Sequence, residues 1–157
     1  KYDEAPVEQL VSGDELPAGV VQRNDRYGSS IINHLDVNGD GKVDVLATRG
    51  HGVGVLWFEA PDWKQHMIDD TIDSTHSTDF EDIDGDGDTD MSTVGYESKL
   101  AVWYENDGKG NFTRHVLSRD QMAYDTMITD LDGDGNKDIL VAGQRSHNVV
   151  WFKNPGE

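Results

Sequence analysis

A nine-residue pattern of aspartate and glycine occurs three times in this sequence and constrains its fold more than any other feature. The pattern is Asp-x-Asp/Asn-Gly-Asp-Gly-x-x-Asp, and it spans residues 36–44, 82–90 and 130–138. The starts are 46 (82 − 36) and 48 (130 − 82) residues apart, and a tryptophan follows each start by 21 residues, at Trp57, Trp103 and Trp151. A regular period of this length indicates a repeat protein.

Short β-rich runs separated by turn residues fill each repeat, for example residues 44–48 and 54–58 after the first loop. No window has sustained helical periodicity, and the 17 glycines favour many tight turns. A unit of this length with roughly four short strands fits a β-propeller blade better than a sandwich. We therefore predict an all-β fold of three tandem four-stranded propeller-type blades.

The predicted units cover about residues 20–60, 61–106 and 107–157, so that the outer strand of each unit comes first. Residues 1–19 stand outside the repeat and are expected to form an N-terminal arm or a closing strand. Three units are fewer than a closed propeller needs. Two or more chains could complete a ring as a homo-oligomer, the chain could be part of a longer array, or the three units could form a less regular arrangement.

The charge balance excludes some partners. There are 31 acidic and 13 basic residues, which gives a formal charge of −18 and favours neither nucleic acid nor anionic membrane surfaces. No apolar run approaches the roughly 20 residues needed to cross a bilayer, so membrane insertion is not expected. The absence of cysteine excludes thiolate zinc sites.

The repeated loop has the chemistry of a calcium site, because calcium takes six to eight oxygen ligands from a short, tightly folded segment. Side-chain oxygens stand at loop positions 1, 3, 5 and 9, and position 7 is expected to contribute its backbone carbonyl. The candidate ligands are Asp36, Asn38, Asp40, Lys42 and Asp44; Asp82, Asp84, Asp86, Asp88 and Asp90; and Asp130, Asp132, Asp134, Asn136 and Asp138. An EF-hand would need glutamate at position 12, where Ala47, Thr93 and Val141 stand instead. We expect up to three Ca²⁺ ions with a structural role, since one loop supplies all the ligands of each and leaves little room for a catalytic coordination position.

Over roughly residues 20–154, this loop followed by an apolar strand resembles the FG-GAP and VCBS repeats. The resemblance implies propeller blades that hold calcium between strands, as in integrin α-subunit heads, propeller lectins and propeller domains of carbohydrate-active proteins. It also implies an extracellular or cell-surface location.

Candidate ligand-binding residues lie in the turns that differ most between the repeats. They are Arg49, His51, Tyr96, Lys99, Gln144, Arg145 and His147, whose side chains suit hydrogen bonding to sugar hydroxyls and stacking on sugar rings. A second set, Ser30, His76 and Tyr124, stands six residues before each loop and is expected to line the central face.

The leading hypothesis is a calcium-stabilised extracellular binding module that recognises carbohydrate. One alternative is a propeller-fold carbohydrate-active enzyme such as a lyase or dehydratase, for which only His76, Tyr124, Arg145 and His147 are suitable. We assign no catalytic residue. Another alternative is a protein-interaction or adhesion module.

Overall fold

The computed structural model describes residues 27–156, with side chains from residue 35 onward, so the predicted arm at residues 1–19 lies outside the described residues. Three antiparallel sheets form, and the described residues contain no helix. The first sheet contains β1 (Tyr27–Leu35), β2 (Asp44–Arg49), β3 (Val53–Glu59) and β4 (Lys64–Asp73). The second contains β5 (Thr75–Glu81), β6 (Asp90–Gly95), β7 (Leu100–Asn106) and β8 (Phe112–Ser118). The third contains β9 (Asp125–Thr129), β10 (Asp138–Gly143) and β11 (Asn148–Phe152).

Within each sheet the strands follow one another in chain order, so every connection is a hairpin between neighbours. The nine-residue loop joins the first strand of each sheet to the second, and the tryptophan lies on the third. Trp57 pairs with Leu46, Trp103 with Ser92 and Trp151 with Leu140, which is the same register three times. The all-β prediction and the propeller-type architecture are confirmed, and the described residues do not form a closed ring.

The sheets group the strands differently from the predicted units. β4, which the sequence predicts to open the second unit, instead completes the first sheet, where His66 pairs with Trp57. β8 completes the second sheet in the same way. A short hairpin turn between β3 and β4 makes them neighbours, whereas Ser74, with a φ of 58°, carries the chain from β4 into the next sheet. The outer strand therefore comes last in a sheet, which corrects the predicted order.

Two apolar cores join the sheets face to face. The core between the first and second sheets includes Leu46, Trp57, Met91, Val102 and Tyr104. A second core lies between the second and third sheets and is built in part from Ile83, Val94, Ile128, Ile139 and Val141. The sheets thus pack like consecutive blades, with the second sheet between the other two.

His66 and His115 stand at matching positions of the first two sheets and pack in the same way. Each imidazole stacks on a tryptophan of the same sheet, His66 on Trp57 and His115 on Trp103, with 4.3 Å between the ring centroids in both pairs. Each Nε2 also lies 2.7 Å from a glutamate oxygen, on Glu59 for His66 and on Glu105 for His115.

A buried acidic side chain joins the first two sheets. Asp69 on β4 accepts hydrogen bonds from the Tyr104 hydroxyl at 2.8 Å and from Arg114 Nη1 at 2.9 Å. Both Thr71 donors, the backbone N–H and the hydroxyl, lie 2.7 Å from its other oxygen. Burial would raise the pKa of Asp69, but the hydrogen bonds from Thr71, Tyr104 and Arg114 outweigh it and hold the pKa below its ordinary value.

Candidate metal loops and ligand-binding face

The last aspartate of each loop is fully buried and fastens the loop to its sheet. Asp44 accepts a hydrogen bond from Val37 N at 3.0 Å and another from Ala60 N at 2.9 Å. Asp90 does the same with Ile83 N and Asn106 N, both at 2.9 Å. Asp138 accepts from Leu131 N at 3.1 Å and from Asn154 N at 2.8 Å. One carboxylate thus ties loop position 2 to the end of the tryptophan strand in all three sheets.

The first aspartate of each loop organises the turn that follows it. Asp36 accepts hydrogen bonds from Asp40 N at 3.1 Å and Gly41 N at 2.8 Å. This tight turn needs left-handed backbone, which Gly39 and Gly41 supply with φ values of 73° and 83°. The glycines in the repeat are therefore required by the loop conformation.

The loop conformation brings carboxylates together as a metal site requires. Asp82, Asp84 and Asp86 each offer one oxygen within 4.8 Å of the others, and Asp130, Asp132 and Asp138 do the same. In the first loop Asn38 replaces one carboxylate, which leaves an oxygen ligand without charge. The N–H groups of Lys42, Asp88 and Asn136 each donate to the aspartate two residues earlier at 2.9 Å. The ligand role predicted for their carbonyls stays a prediction.

The second loop shows most clearly that its residues fit a cation. Burial raises the pKa of Asp90 to about 6. Burial also raises the pKa of Asp84, and the charges of Asp86, Glu105 and Asp82 add to the effect. A site whose donors are all hard oxygens, with carboxylates that repel one another, suits calcium better than zinc. A divalent ion held by Asp82, Asp84, Asp86 and Asp90 would neutralise this charge.

Two asparagines connect the first and second loops to the sheet that follows each of them. Asn106 Nδ2 donates to the carbonyl oxygen of Val37 in the first loop at 3.0 Å. Asn154 Nδ2 donates to the carbonyl oxygen of Ile83 in the second loop at 2.8 Å. Ala60 occupies the equivalent position in the first sheet and has no amide side chain to donate. The sequence contained a signal for this link, because both asparagines follow their tryptophan by three residues.

A glycine-rich turn closes the space between the first and second loops. A Cβ on Gly110 would lie 2.7 Å from Trp57 Cζ2, so only glycine lets the turn lie against the tryptophan. Between the second and third loops the corresponding space is a cavity of about 480 Å³, lined in part by Asp82, Trp103 and Lys137.

At the opposite end of the sheets, four ring-bearing side chains from separate segments meet. The His76 ring centroid lies 4.9 Å from that of His51, 4.1 Å from Tyr124 and 6.2 Å from Tyr96, and the two tyrosine rings are 4.9 Å apart. We call His51, His76, Tyr96 and Tyr124 the aromatic cluster. Burial lowers the pKa of His76, and the nearby His51 lowers it further. His51 and Tyr96 belong to the first predicted set of ligand residues, and His76 and Tyr124 to the second. The side chain of Ser30 lies outside the described residues.

The other predicted ligand residues are not among these four rings. Arg49 is buried, and its Nη1 donates to the Val53 carbonyl at 3.1 Å. Lys99 lies exposed in the turn between β6 and β7. Gln144, Arg145 and His147 lie exposed in the turn between β10 and β11.

Stacked antiparallel sheets that each contain the same aspartate-glycine loop define a repeat protein of the β-propeller type. A family model described as the FG-GAP-like repeat matches residues 36–93 and 82–141, and the chain belongs to this family. The family and the fold indicate a propeller-like binding or adhesion module. A search of curated proteins found no match. Among the described residues there is no helix with the length and apolar character needed to cross a membrane.

Proposed function

We propose that this protein is a calcium-stabilised binding module that works outside the cell or at the cell surface and recognises carbohydrate. The observation that carries the proposal is the aromatic cluster, which lies at the end of the sheets opposite the three metal loops. Calcium holds the scaffold at one end, and the ligand binds at the other.

The chemistry of the cluster suits a neutral, hydroxyl-rich ligand. Tyrosine and histidine rings present apolar faces for a sugar ring, and their polar atoms exchange hydrogen bonds with hydroxyl groups. The lowered pKa of His76 keeps its imidazole neutral near pH 7, so that it can both donate and accept. Beside the cluster, Asp125 adds a carboxylate that already accepts a hydrogen bond from Ser77 Oγ at 2.7 Å.

The metal loops support an extracellular site of action. Three bound calcium ions would change the formal charge from −18 to −12 (−18 + 3 × 2). Oxygen-ligand calcium sites of extracellular modules have dissociation constants of roughly 10⁻⁴ to 10⁻³ M. Ion binding to the folded state alone adds stability by linkage.

A glycan array in millimolar calcium tests the ligand class. We expect binding to related sugars that weakens strongly in Tyr124→Ala and Tyr96→Ala. Met67→Ala, which changes an exposed side chain on β4 outside the cluster, should bind like the wild type. An array without signal, or binding that survives both tyrosine variants, would overturn the carbohydrate assignment. A protein partner recovered in place of a glycan would favour the adhesion alternative.

Thermal unfolding with calcium and with EDTA tests the metal assignment. Chelation should lower the melting temperature by several degrees, because a ligand at 100 times its dissociation constant stabilises by about 2.7 kcal/mol. An unchanged melting temperature would remove calcium from the proposal.

The His76–Tyr124 pair is the observation that favours an enzyme as the second candidate, because the two ring centroids are 4.1 Å apart. A neutral imidazole beside a phenol could move a proton in a lyase or dehydratase reaction. Incubating the protein with acidic and neutral oligosaccharides, with product detection by mass spectrometry, tests this candidate. Turnover that disappears in His76→Gln would establish it, and absence of any product would exclude it for those substrates.

We further propose that a second copy of the chain packs on the open face of the third sheet. Val149 is 72% exposed and Trp151 43% exposed, whereas the equivalent Val55 and Trp57 are 0% and 3% exposed beneath the second sheet. An apolar patch of this kind can pair with itself about a twofold axis. Light scattering should detect dimers that Trp151→Glu converts to monomers, and a wild-type monomer at every concentration would refute this arrangement.

A further inference from the structure

The three loops share one backbone design but differ in the charged side chain that reaches them from the tryptophan strand. That side chain stands 15 residues after the last loop aspartate, and it is Glu59 in the first sheet, Glu105 in the second and Lys153 in the third. Glu59 Oε1 accepts a hydrogen bond from Asn38 Nδ2, at loop position 3, at 3.3 Å. Lys153 Nζ bonds to Asp132, at the same loop position. The position therefore faces the proposed metal ligands directly.

In the third loop this position places a cation on the carboxylates. Besides its bond to Asp132, Lys153 Nζ lies 3.1 Å from Asp134 Oδ2. One ammonium group thus engages two of the four aspartates proposed to hold calcium. The other nearby lysine, Lys137, is directed to Glu81 instead, at 3.6 Å.

The first and second loops have a different charge balance. In the first loop Lys42 forms an ion pair with Asp40. With Asp36, Asp40, Asp44 and Glu59, the first loop has a formal charge of −4 + 1 = −3. The second loop has five aspartates and Glu105, hence −6, and no lysine among these residues. The third has four aspartates with Lys137 and Lys153, hence −4 + 2 = −2, and the charge of Lys153 is shared by two ligands.

We propose that Lys153 is a built-in competitor for the cation of the third loop, so that the second loop fills first with calcium and the third loop fills last. This inference rests on the proposed calcium binding. Ligand charge count sets the affinity of such oxygen sites, and calcium must displace the ammonium group before it can use Asp132 and Asp134. The same ammonium group stabilises the third loop when the ion is absent, because it offsets the repulsion between the two carboxylates.

The competition predicts opposite effects of one substitution in two conditions. Lys153→Glu installs the residue type that the first two sheets have at this position. It should tighten the weakest calcium-binding step about tenfold, because ligand charge is one of the factors that tune the affinity of oxygen-ligand loops over several decades. In EDTA the same variant should melt at a lower temperature than the wild type. A residue that only packs against the loop would shift both readouts in the same direction.

Calorimetric titration of the whole chain with calcium is the experiment. Asp82→Ala and Asp130→Ala assign the tightest and weakest steps to the second and third loops. Arg119→Glu is the matched control, because Arg119 is exposed just beyond β8, at the opposite end of the sheets, and its replacement changes the net charge by the same two units. Lys153→Gln removes the cation without adding a charged ligand, and it should still tighten the weakest step.

The results separate this inference from the proposed function. Calcium uptake with a weakest step that tightens in both Lys153 variants, but changes less than about twofold in Arg119→Glu, would support the inference. Uptake with the same constants in the wild type and both Lys153 variants would overturn the inference and leave the calcium assignment intact. An absence of calcium uptake by the wild type would overturn both.

Discussion

The hydrogen bond between Tyr104 and Asp69 gives the sharpest test of how the first two sheets are joined. Tyr104 is 1% exposed, and its hydroxyl lies 2.8 Å from Asp69 Oδ2. Tyr104→Phe removes this bond and leaves the ring in place. Phe58 and Phe152 occupy the equivalent positions in the other sheets, so phenylalanine fits the fold.

The magnitude follows from what Asp69 retains. A hydrogen bond to a charged group contributes about 1.5–3 kcal/mol. Asp69 keeps Arg114 on the same oxygen and both Thr71 donors on the other, so its carboxylate stays paired after the substitution. We therefore expect a loss at the lower end of that range, about 1.5–2 kcal/mol.

Urea unfolding followed by tryptophan fluorescence in saturating calcium measures the effect. The midpoint should fall without a change in the slope, because the surface exposed on unfolding is nearly the same. Tyr124→Phe is the control, since Tyr124 is exposed and its loss of one hydroxyl should change stability by less than about 0.5 kcal/mol. A Tyr104→Phe protein as stable as this control would refute the role of this hydrogen bond in joining the first two sheets.

Three other perturbations test separate parts of the structure. The contribution of the Asp69 carboxylate to the free energy of unfolding is complete above its ordinary pKa of 3.8 and is lost as the pH falls through its lower folded-state pKa. The stability of Asp69→Asn should therefore fall less steeply with decreasing pH than that of the wild type. Gly110→Ala should destabilise the protein by about 1–3 kcal/mol, because the added Cβ collides with Trp57. The loss should exceed that of Gly133→Ala, which has a similar φ but no atom within 4 Å of the added Cβ. Equal losses of stability in urea would contradict this. Asp138→Asn, measured in EDTA so that no ion contributes, should cost about 1–3 kcal/mol because one partly buried backbone N–H loses its acceptor, and an unchanged midpoint would show that the carboxylate does not fasten the loop.

The sequence predicted the sheets well because the loop and the tryptophan recur at a fixed offset. The hairpin that pairs Trp57 with Leu46 in the first sheet recurs at equivalent positions in the other two sheets. It can be predicted from neighbouring residues because its two strands are adjacent in the sequence. The phase of the repeat could not be obtained in the same way. A periodic pattern does not specify where a unit begins, and the assignment of β4 to the first sheet depends on the pairing of His66 with Trp57.

The candidate sites show the same division between local and long-range information. Each metal loop lies within nine consecutive residues, so the carboxylates near Asp82 and Asp130 could be grouped from the sequence. The contact of His51 with His76 joins two sheets, and no spacing predicts it. Lys153 was not predicted as a partner of the third loop, and the only signal for it was the offset from the tryptophan that it shares with Glu59 and Glu105.

The metal loops and the packing between sheets are parts of one arrangement. The backbone of Asn106 is fixed by Asp90, in its own sheet, and its side chain donates to Val37 in the preceding loop. Val37 N is in turn held by Asp44. A cation that orders one loop therefore also positions the carbonyl on which the next sheet is fastened. Because this link repeats through Asn154 and Ile83, ion binding at one loop should stabilise the contact with the following sheet.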